Sequence, residues 1–237
     1  MFTELTILVP VYNEEDNLSR LFDALLRYLN HANRPAKVLF INDGSTDSSK
    51  KIITKFCNEH RSFDYIDLIR NQGLSAALKA GFDQADTALI GYLDADLQTT
   101  PEDFNLLLDY INDYDLVTGI RVKREDPIIK IMVSRIANVF RRLITKDGIK
   151  DTGCPLKIIK SNYAKPMPMF EGLHRFIPAL VLLQHGKVKQ VPVKHFSRKA
   201  GRSKFGIWKR MLEGVSSCVT YVRIKKNYKQ HPNGLNF

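Results

Sequence analysis

The sequence has little sulfur chemistry and no apolar run of membrane length. Its three cysteines, Cys57, Cys154 and Cys218, are odd in number and far apart. They show neither zinc spacing nor a disulfide framework, a usage that suits a reducing compartment. No stretch of about 18 to 20 consecutive apolar residues occurs, so no membrane-spanning helix is expected. Residues 1–10 carry Glu4 and lead straight into polar sequence, which is not the pattern of a secretion signal. Internal repeats and low-complexity linkers are also missing, which points to one continuous domain with a C-terminal extension.

Acidic residues are scarce in one half alone. Residues 1–120 hold 10 Lys/Arg against 19 Asp/Glu, whereas residues 121–237 hold 26 against 6. The overall charge of +11 hides that split. A basic half of this kind points to an anionic partner: phosphate groups, a membrane surface or nucleic acid. With 44% hydrophobic residues in 237, the chain has enough apolar material for a substantial core.

The first half alternates strand-like and helix-like segments. Apolar runs at 5–9, 38–41, 65–69, 88–93 and 116–120 read as strands. Between them, 14–29 has apolar residues at helical spacing, the turn at 42–47 caps a helix to about residue 57, and 74–82 is helical. Thr100 followed by Pro101 marks a further helix start. This alternation predicts an α/β fold with a mostly parallel, doubly wound sheet whose ligands bind at the carboxyl ends of strands. Beyond it, 127–145 has helical spacing, 174–184 reads as a helix and 187–193 as a strand. In the last segment Phe205, Trp208, Met211, Leu212, Val215 and Val219 form one stripe flanked by Lys and Arg.

The polar clusters fall where strands leave the sheet. Asp94-Ala95-Asp96-Leu97-Gln98 places two carboxylates at i and i+2, on one side of an extended chain. Oxygen ligands so placed suit a hard divalent cation whose other positions go to water and diphosphate oxygens. Pro10, Tyr12 and Glu14 end the first strand, where Tyr12 offers a stacking ring and Glu14 an acceptor; an ordinary helix start reads the same way. Asp43 follows the second strand with Gly44, which permits a tight turn.

Together these strings resemble glycosyltransferase family 2, of the GT-A (Rossmann-like) fold, and within it the dolichyl- and polyprenyl-phosphate sugar transferases. The resemblance rests on Val9-Pro-x-Tyr-Asn-Glu14, Asp43-Gly-Ser-Thr-Asp47, Arg70-Asn-x-Gly73 and Asp94-Ala-Asp-Leu-Gln98, in the family's order. It continues through Asp151-Thr-Gly-Cys154, the segment from His174 to Leu180, Val191-Pro-Val-x-His195, and Arg198 to Gly206. Two places depart from the common pattern: Asn42 stands where many relatives have Asp, and Thr99-Thr100 replaces a frequent Asp-Pro.

The resemblance implies roles. Pro10, Tyr12, Glu14, Ile41 and Asp43 would hold the nucleotide, and Asp94, Ala95, Asp96 and Gln98 the donor diphosphate. Asp94, Asp96 and Gln98 would bind Mg or Mn, with Asp96 and Arg121 at the catalytic centre. Arg121 would reach donor or acceptor phosphate, Arg135 an acceptor phosphate, and Arg198 and Lys204 would close over the donor. The expected reaction is inverting transfer from a GDP- or UDP-sugar to a polyprenyl phosphate, which as an anion needs no general base. A saccharide hydroxyl is the rival acceptor, with Asp151 as its base; the preferred reading of Asp151 is a loop carboxylate pairing with one of the arginines. The basic cluster Arg121, Lys123, Arg124, Lys130, Arg135, Arg141 and Arg142 favours the phosphate.

A nucleic-acid-binding protein is a further alternative, and the acidic half argues against nucleic acid as a partner; a non-catalytic sugar-nucleotide binder is the last, and the intact Asp94/Asp96 pair argues against it. The expected organisation is a catalytic domain over 1–204 and a basic amphipathic segment over 205–237. That segment would lie on an anionic membrane surface, or pack on the domain, a second copy or a membrane partner. The expected location is peripheral, on the cytoplasmic face.

Overall fold

The computed structural model describes residues 4–122, 139, 141–197 and 207–230, with the side chains of 207–215 and 229–230 left undescribed. A seven-stranded sheet of order β3-β2-β1-β4-β6-β5-β7 forms the centre of a single α/β domain. The strands are β1 (Leu5–Val11), β2 (Ala36–Asn42), β3 (Phe63–Asp67), β4 (Leu89–Tyr92), β5 (Leu116–Val122), β6 (Lys157–Lys160) and β7 (Val188–Lys194). All neighbours run parallel except β6, which is antiparallel to both β4 and β5.

β1 shows why a continuous apolar run becomes an inner strand. Leu5, Ile7, Val9 and Val11 enter the core on one face, while Leu8 enters the core on the other. Strands buried on both faces lose the apolar–polar alternation that marks a half-exposed one. The first core lies under α1 (Glu15–His31), where Leu18, Leu21, Phe22, Leu25 and Tyr28 are buried. The second gathers α3 (Leu74–Gln84), α6 (Leu173–Leu183) and α7 (Ile207–Gln230). The remaining helices are α2 (Ser49–Glu59), α4 (Phe104–Leu108) and the short α5 (Ser161–Ala164); residues 141–145 are also helical.

Three differences from the sequence expectations have physical causes. β3 ends at Asp67 rather than at residue 69, because Leu68 N bonds back to Asn42 O and the chain then turns away. β6 was not expected at all. Four residues entering from a Gly-Cys-Pro turn carry too little pattern to register as a strand. Among the described side chains of α7, Ser217, Cys218, Tyr221 and Ile224 are buried and Val219 of the expected stripe is half-exposed, while Phe205, Trp208, Met211, Leu212 and Val215 lie outside the described side chains. Tyr221 stacks on Phe176 with ring centroids 5.3 Å apart, and Ser217 donates to the carbonyl of Glu171 at 2.7 Å. The helix therefore packs on α6.

Candidate active site

The chain steps from β1 to β2 and β3 on one side and to β4 on the other, so the crevice between β1 and β4 is the sheet's switch point. The expected nucleotide residues stand around it. Asn13 takes a left-handed φ of 50°, which asparagine tolerates, and its side chain accepts from Thr46 N at 2.7 Å. Its own N–H donates to Ser45 Oγ at 3.0 Å. The end of β1 is thus laced to the turn after β2.

Asp43 organises the other wall. Its Oδ1 accepts from Gln72 N at 2.7 Å, and its Oδ2 accepts from Gly73 N and Asn71 Nδ2, both at 2.9 Å. Burial pushes the Asp43 carboxyl above its ordinary range, and the Gln72 and Gly73 N–H groups pull it back. Gly44 is required here: at φ 63° a Cβ would sit 2.4 Å from the carbonyl carbon of Arg70. Asp43 therefore carries the 70–73 loop as well as bordering the crevice. Pro10, Tyr12 and Glu14 are partly exposed at the rim. Glu14 accepts from Asn17 Nδ2 at 2.7 Å in the first turn of α1. Ile41 has no exposed surface and packs in the second core with Leu8 and Leu39.

At the end of β4, Asp94 is partly exposed while Ala95 and Asp96 are buried. Tyr92 donates to Asp94 Oδ1 at 2.6 Å, and Asp96 Oδ1 accepts from Gln98 N at 3.1 Å. Leu97 between them adopts φ 53°, a conformation that costs a leucine roughly 1–2 kcal/mol. Phe196 N donates to Gln98 O at 2.9 Å and holds the far side of that turn. Burial first, and then the negative Asp96, push the Asp94 carboxyl up to about 6; the Tyr92 hydrogen bond and the charges of Lys157 and Arg121 act the other way.

Two crowded carboxylates of this kind fit a divalent cation, which would relieve their repulsion. Among the described residues no cluster of three or more His, Cys, Asp or Glu forms a complete metal cage. A cation here would thus be completed by water and phosphate oxygens, the usual habit of Mg.

Arg121 lies near the end of β5, in register with Val193 of β7, and is held by Asp151. Its Nε donates to Oδ2 and its Nη2 to Oδ1, both at 2.8 Å, and its backbone N–H also reaches Oδ2 at 3.2 Å. Gly153 lets the guanidinium lie against the turn, since a Cβ there would meet Nη2 at 2.7 Å. The arginine-pairing reading of Asp151 is the observed one. Arg141 departs from its expected place among phosphate-facing cations. It is buried, paired with Asp147 and bonded to Thr145 Oγ1 and the carbonyl of Ile149. Arg135, Arg198 and Lys204, along with Lys123, Arg124 and Lys130, lie outside the described residues.

Sequence reasoning missed Tyr92 and Lys157. Tyr92 closed an apolar run, and Lys157 stood in Lys-Ile-Ile-Lys with nothing to separate it from the partly exposed Lys160. It also missed His174, which is partly exposed beside Ser75 with Nδ1 at 3.2 Å from Oγ.

Comparison with known proteins fits this geometry. The model of the family described as "Glycosyl transferase family 2" matches residues 6–165. An undecaprenyl-phosphate 4-deoxy-4-formamido-L-arabinose transferase of Edwardsiella ictaluri is 31% identical over 220 residues, 91% of this chain and 68% of its own length. The protein of that name from Pectobacterium carotovorum is 30% identical, covering 91% of this chain and 67% of its own.

Among solved structures, glucosyl-3-phosphoglycerate synthase of Mycobacterium tuberculosis, in complex with Mn2+, UDP and glucosyl-3-phosphoglycerate, superposes with a TM-score of 0.71 at 11% identity. That match covers 91% of this chain and 80% of the other. A Pyrobaculum calidifontis mannosyltransferase with GDP-Man and Mn2+ gives 0.66 at 14% identity, over 93% of this chain and 65% of the other. These likenesses share the GT-A architecture. The strand-end carboxylates, the switch-point crevice and a family match over well more than half the sequence lead to one conclusion: the chain is a glycosyltransferase and belongs to glycosyl transferase family 2.

Proposed function

We propose that this enzyme transfers a sugar, with inversion, from a UDP- or GDP-sugar to a polyprenyl phosphate. The observation that carries the acceptor is the Arg121–Asp151 pair. A hydroxyl acceptor needs a general base, and the candidate base already binds a guanidinium through both oxygens. A phosphate acceptor needs no base, only cations to position it. The names of the Edwardsiella and Pectobacterium relatives support the same acceptor class.

In this reading Tyr12, Glu14 and Asp43 border the base and ribose, with Pro10 and Ile41 shaping the crevice. Asp94, Ala95, Asp96 and Gln98 meet the diphosphate, and Asp94, Asp96 and Gln98 hold Mg or Mn. The cation supplies positive charge where the leaving diphosphate gains negative charge. Arg121 orients a phosphate oxygen at the end of β5, and Asp151 fixes the plane of its guanidinium. Arg135 is assigned to the acceptor phosphate, and Arg198 and Lys204 to closure over the donor.

The working place is the cytoplasmic face of a membrane. No helix among the described residues is long and apolar enough to cross one. The outer side of α7 carries half-exposed Val219 and Val222 beside Arg223 and Lys226, a surface suited to anionic lipid.

The test is transfer of label from a panel of UDP- and GDP-sugars, with Mg or Mn, to short polyprenyl phosphates. Label from one donor should enter the organic phase and vanish with Asp96→Asn. Donor hydrolysis that depends on Asp96, with no lipid labelled, would overturn the acceptor.

A further inference from the structure

Lys157 is the least expected charge in the molecule. It sits in the middle of the sheet on β6, only 2% exposed, flanked by Tyr92 of β4 and Thr118 of β5 in register. Its Nζ donates to the carbonyl of Cys154 and lies 5.5 Å from the centroid of the Tyr92 ring. Burying an ammonium costs free energy unless its charge is used, and an apolar side chain would fill the space between two strands without that cost.

The neighbouring Tyr92 is 4% exposed, and its hydroxyl has one partner in that space, Asp94 Oδ1 at 2.6 Å. A cation over the ring face draws electron density from the phenol. That strengthens the O–H as a donor, the sense in which linked hydrogen bonds reinforce one another. Ammonium, ring and carboxylate are thus neighbours, with the ring in contact with both charges.

We propose that Lys157 and Tyr92 are positioning residues that fix the orientation of the Asp94 carboxylate for the cation and diphosphate, an inference that rests on reading Asp94 and Asp96 as cation ligands. Tyr92 commits one oxygen of Asp94 and so sets the carboxylate plane. Lys157 holds the ring and its donor strength from behind. Outer partners of this kind are as much part of a metal site as its ligands.

The experiment measures the Mn2+ dissociation constant from the free-ion paramagnetic resonance signal, with the nucleoside diphosphate of the active donor present. Wild type is compared with Tyr92→Phe, Lys157→Met, the double variant and Asp94→Asn, with Tm recorded for each. Tyr92→Phe should weaken Mn2+ about 10-fold or more, within the range for lost outer-shell bonds. Its Tm and its affinity for the nucleotide without metal should stay near wild type. Lys157→Met should weaken Mn2+ in the same direction, and the double variant should fall short of the product of the two effects.

Should Asp94→Asn abolish Mn2+ binding while folded Tyr92→Phe keeps the wild-type constant, the positioning role is wrong and the ligand reading stands. If Asp94→Asn itself binds Mn2+ like wild type, the ligand reading fails and takes the inference with it. Where Lys157→Met does not fold, Tyr92→Phe decides alone. A lowered Tm with an unchanged constant marks a purely structural pair and also overturns the proposal.

Discussion

The two halves of the molecule hold their functional groups by different means. In the first, backbone N–H groups do much of the holding, with Tyr92 on Asp94 as the main side-chain exception. Asp43 is fixed by the N–H groups of Gln72 and Gly73, Asn13 by those of Thr46 and its neighbours, and Asp96 by Gln98 N. In the second half side chains hold side chains. Three of its six acids have described side chains, and two of these are held against arginines, Asp151 on Arg121 and Asp147 on Arg141. These two acids orient cations rather than dilute the charge. An arginine held at both nitrogens presents a fixed fork, which an unpaired one would have to find at each encounter.

The first way to sharpen that contrast is to remove a proposed cation ligand on the backbone-held side. Asp96→Asn should lower transfer on the order of 10³-fold, several kcal/mol of lost transition-state stabilisation, in a protein that still melts cooperatively. Next comes the side-chain-held side. Arg121→Lys should cost about 100-fold in kcat/KM by analogy with the loss of one oriented donor, because an ammonium cannot reproduce the two-point pairing. Asp151→Asn should cost less, and the double variant should be no worse than Arg121→Lys alone if Asp151 works only through Arg121. An additive double variant would break the comparison and restore Asp151 as a base.

Arg141 tests whether a buried pair in the same half is structural. Arg141→Met leaves Asp147 buried and uncompensated, which should cost about 3–5 kcal/mol and lower Tm by roughly 10 °C. Adding Asp147→Leu should recover most of it, since replacing both partners removes the orphan charge. The smallest effect expected is a pH dependence. Burial, reinforced by Arg175 and Lys157, holds the His174 imidazole well below its ordinary 6.5. The unfolded chain therefore takes up that proton first, so stability is flat above about 6.5 and falls as pH drops below it. His174→Gln should flatten that limb by at most about 1.4 kcal/mol per pH unit, read from urea melts at pH 7.5 and 5.5.

This division also decided what could be read in advance. β1 and β2 were legible because strands buried on both faces are continuous apolar runs, and the site residues follow them directly. The proposed ligands Asp94 and Asp96 could be named from the sequence because their spacing is local. Lys157 was not: whether a strand lysine faces solvent or a tyrosine ring depends on which strands flank it, and β6 is inserted out of sequence order between β4 and β5. The burial of Arg141 was hidden for the same reason, since its partners Asp147 and Ile149 only become enclosing once the helical segment has packed. The exposed Ile69 extended the apparent third strand past its end, because apolar character alone does not show where a chain must turn to deliver Asn71 to Asp43.

The reversed β6 has one more consequence. The chain leaves the sheet after Val122 and returns at Lys157 on the adjacent strand, and the two ends are stitched by the register of Thr118 with Lys157 and by the grip of Asp151 on Arg121. The two ends of that connection therefore stand on one spot of the sheet, and a connection closed by its anchors can vary in length at little entropic expense. Its last part is tied down, because Arg141, Thr145 and Ile149 are buried and Ile144 packs on the second core. A graft from a relative should therefore keep 141–156 as it stands and exchange sequence only before it.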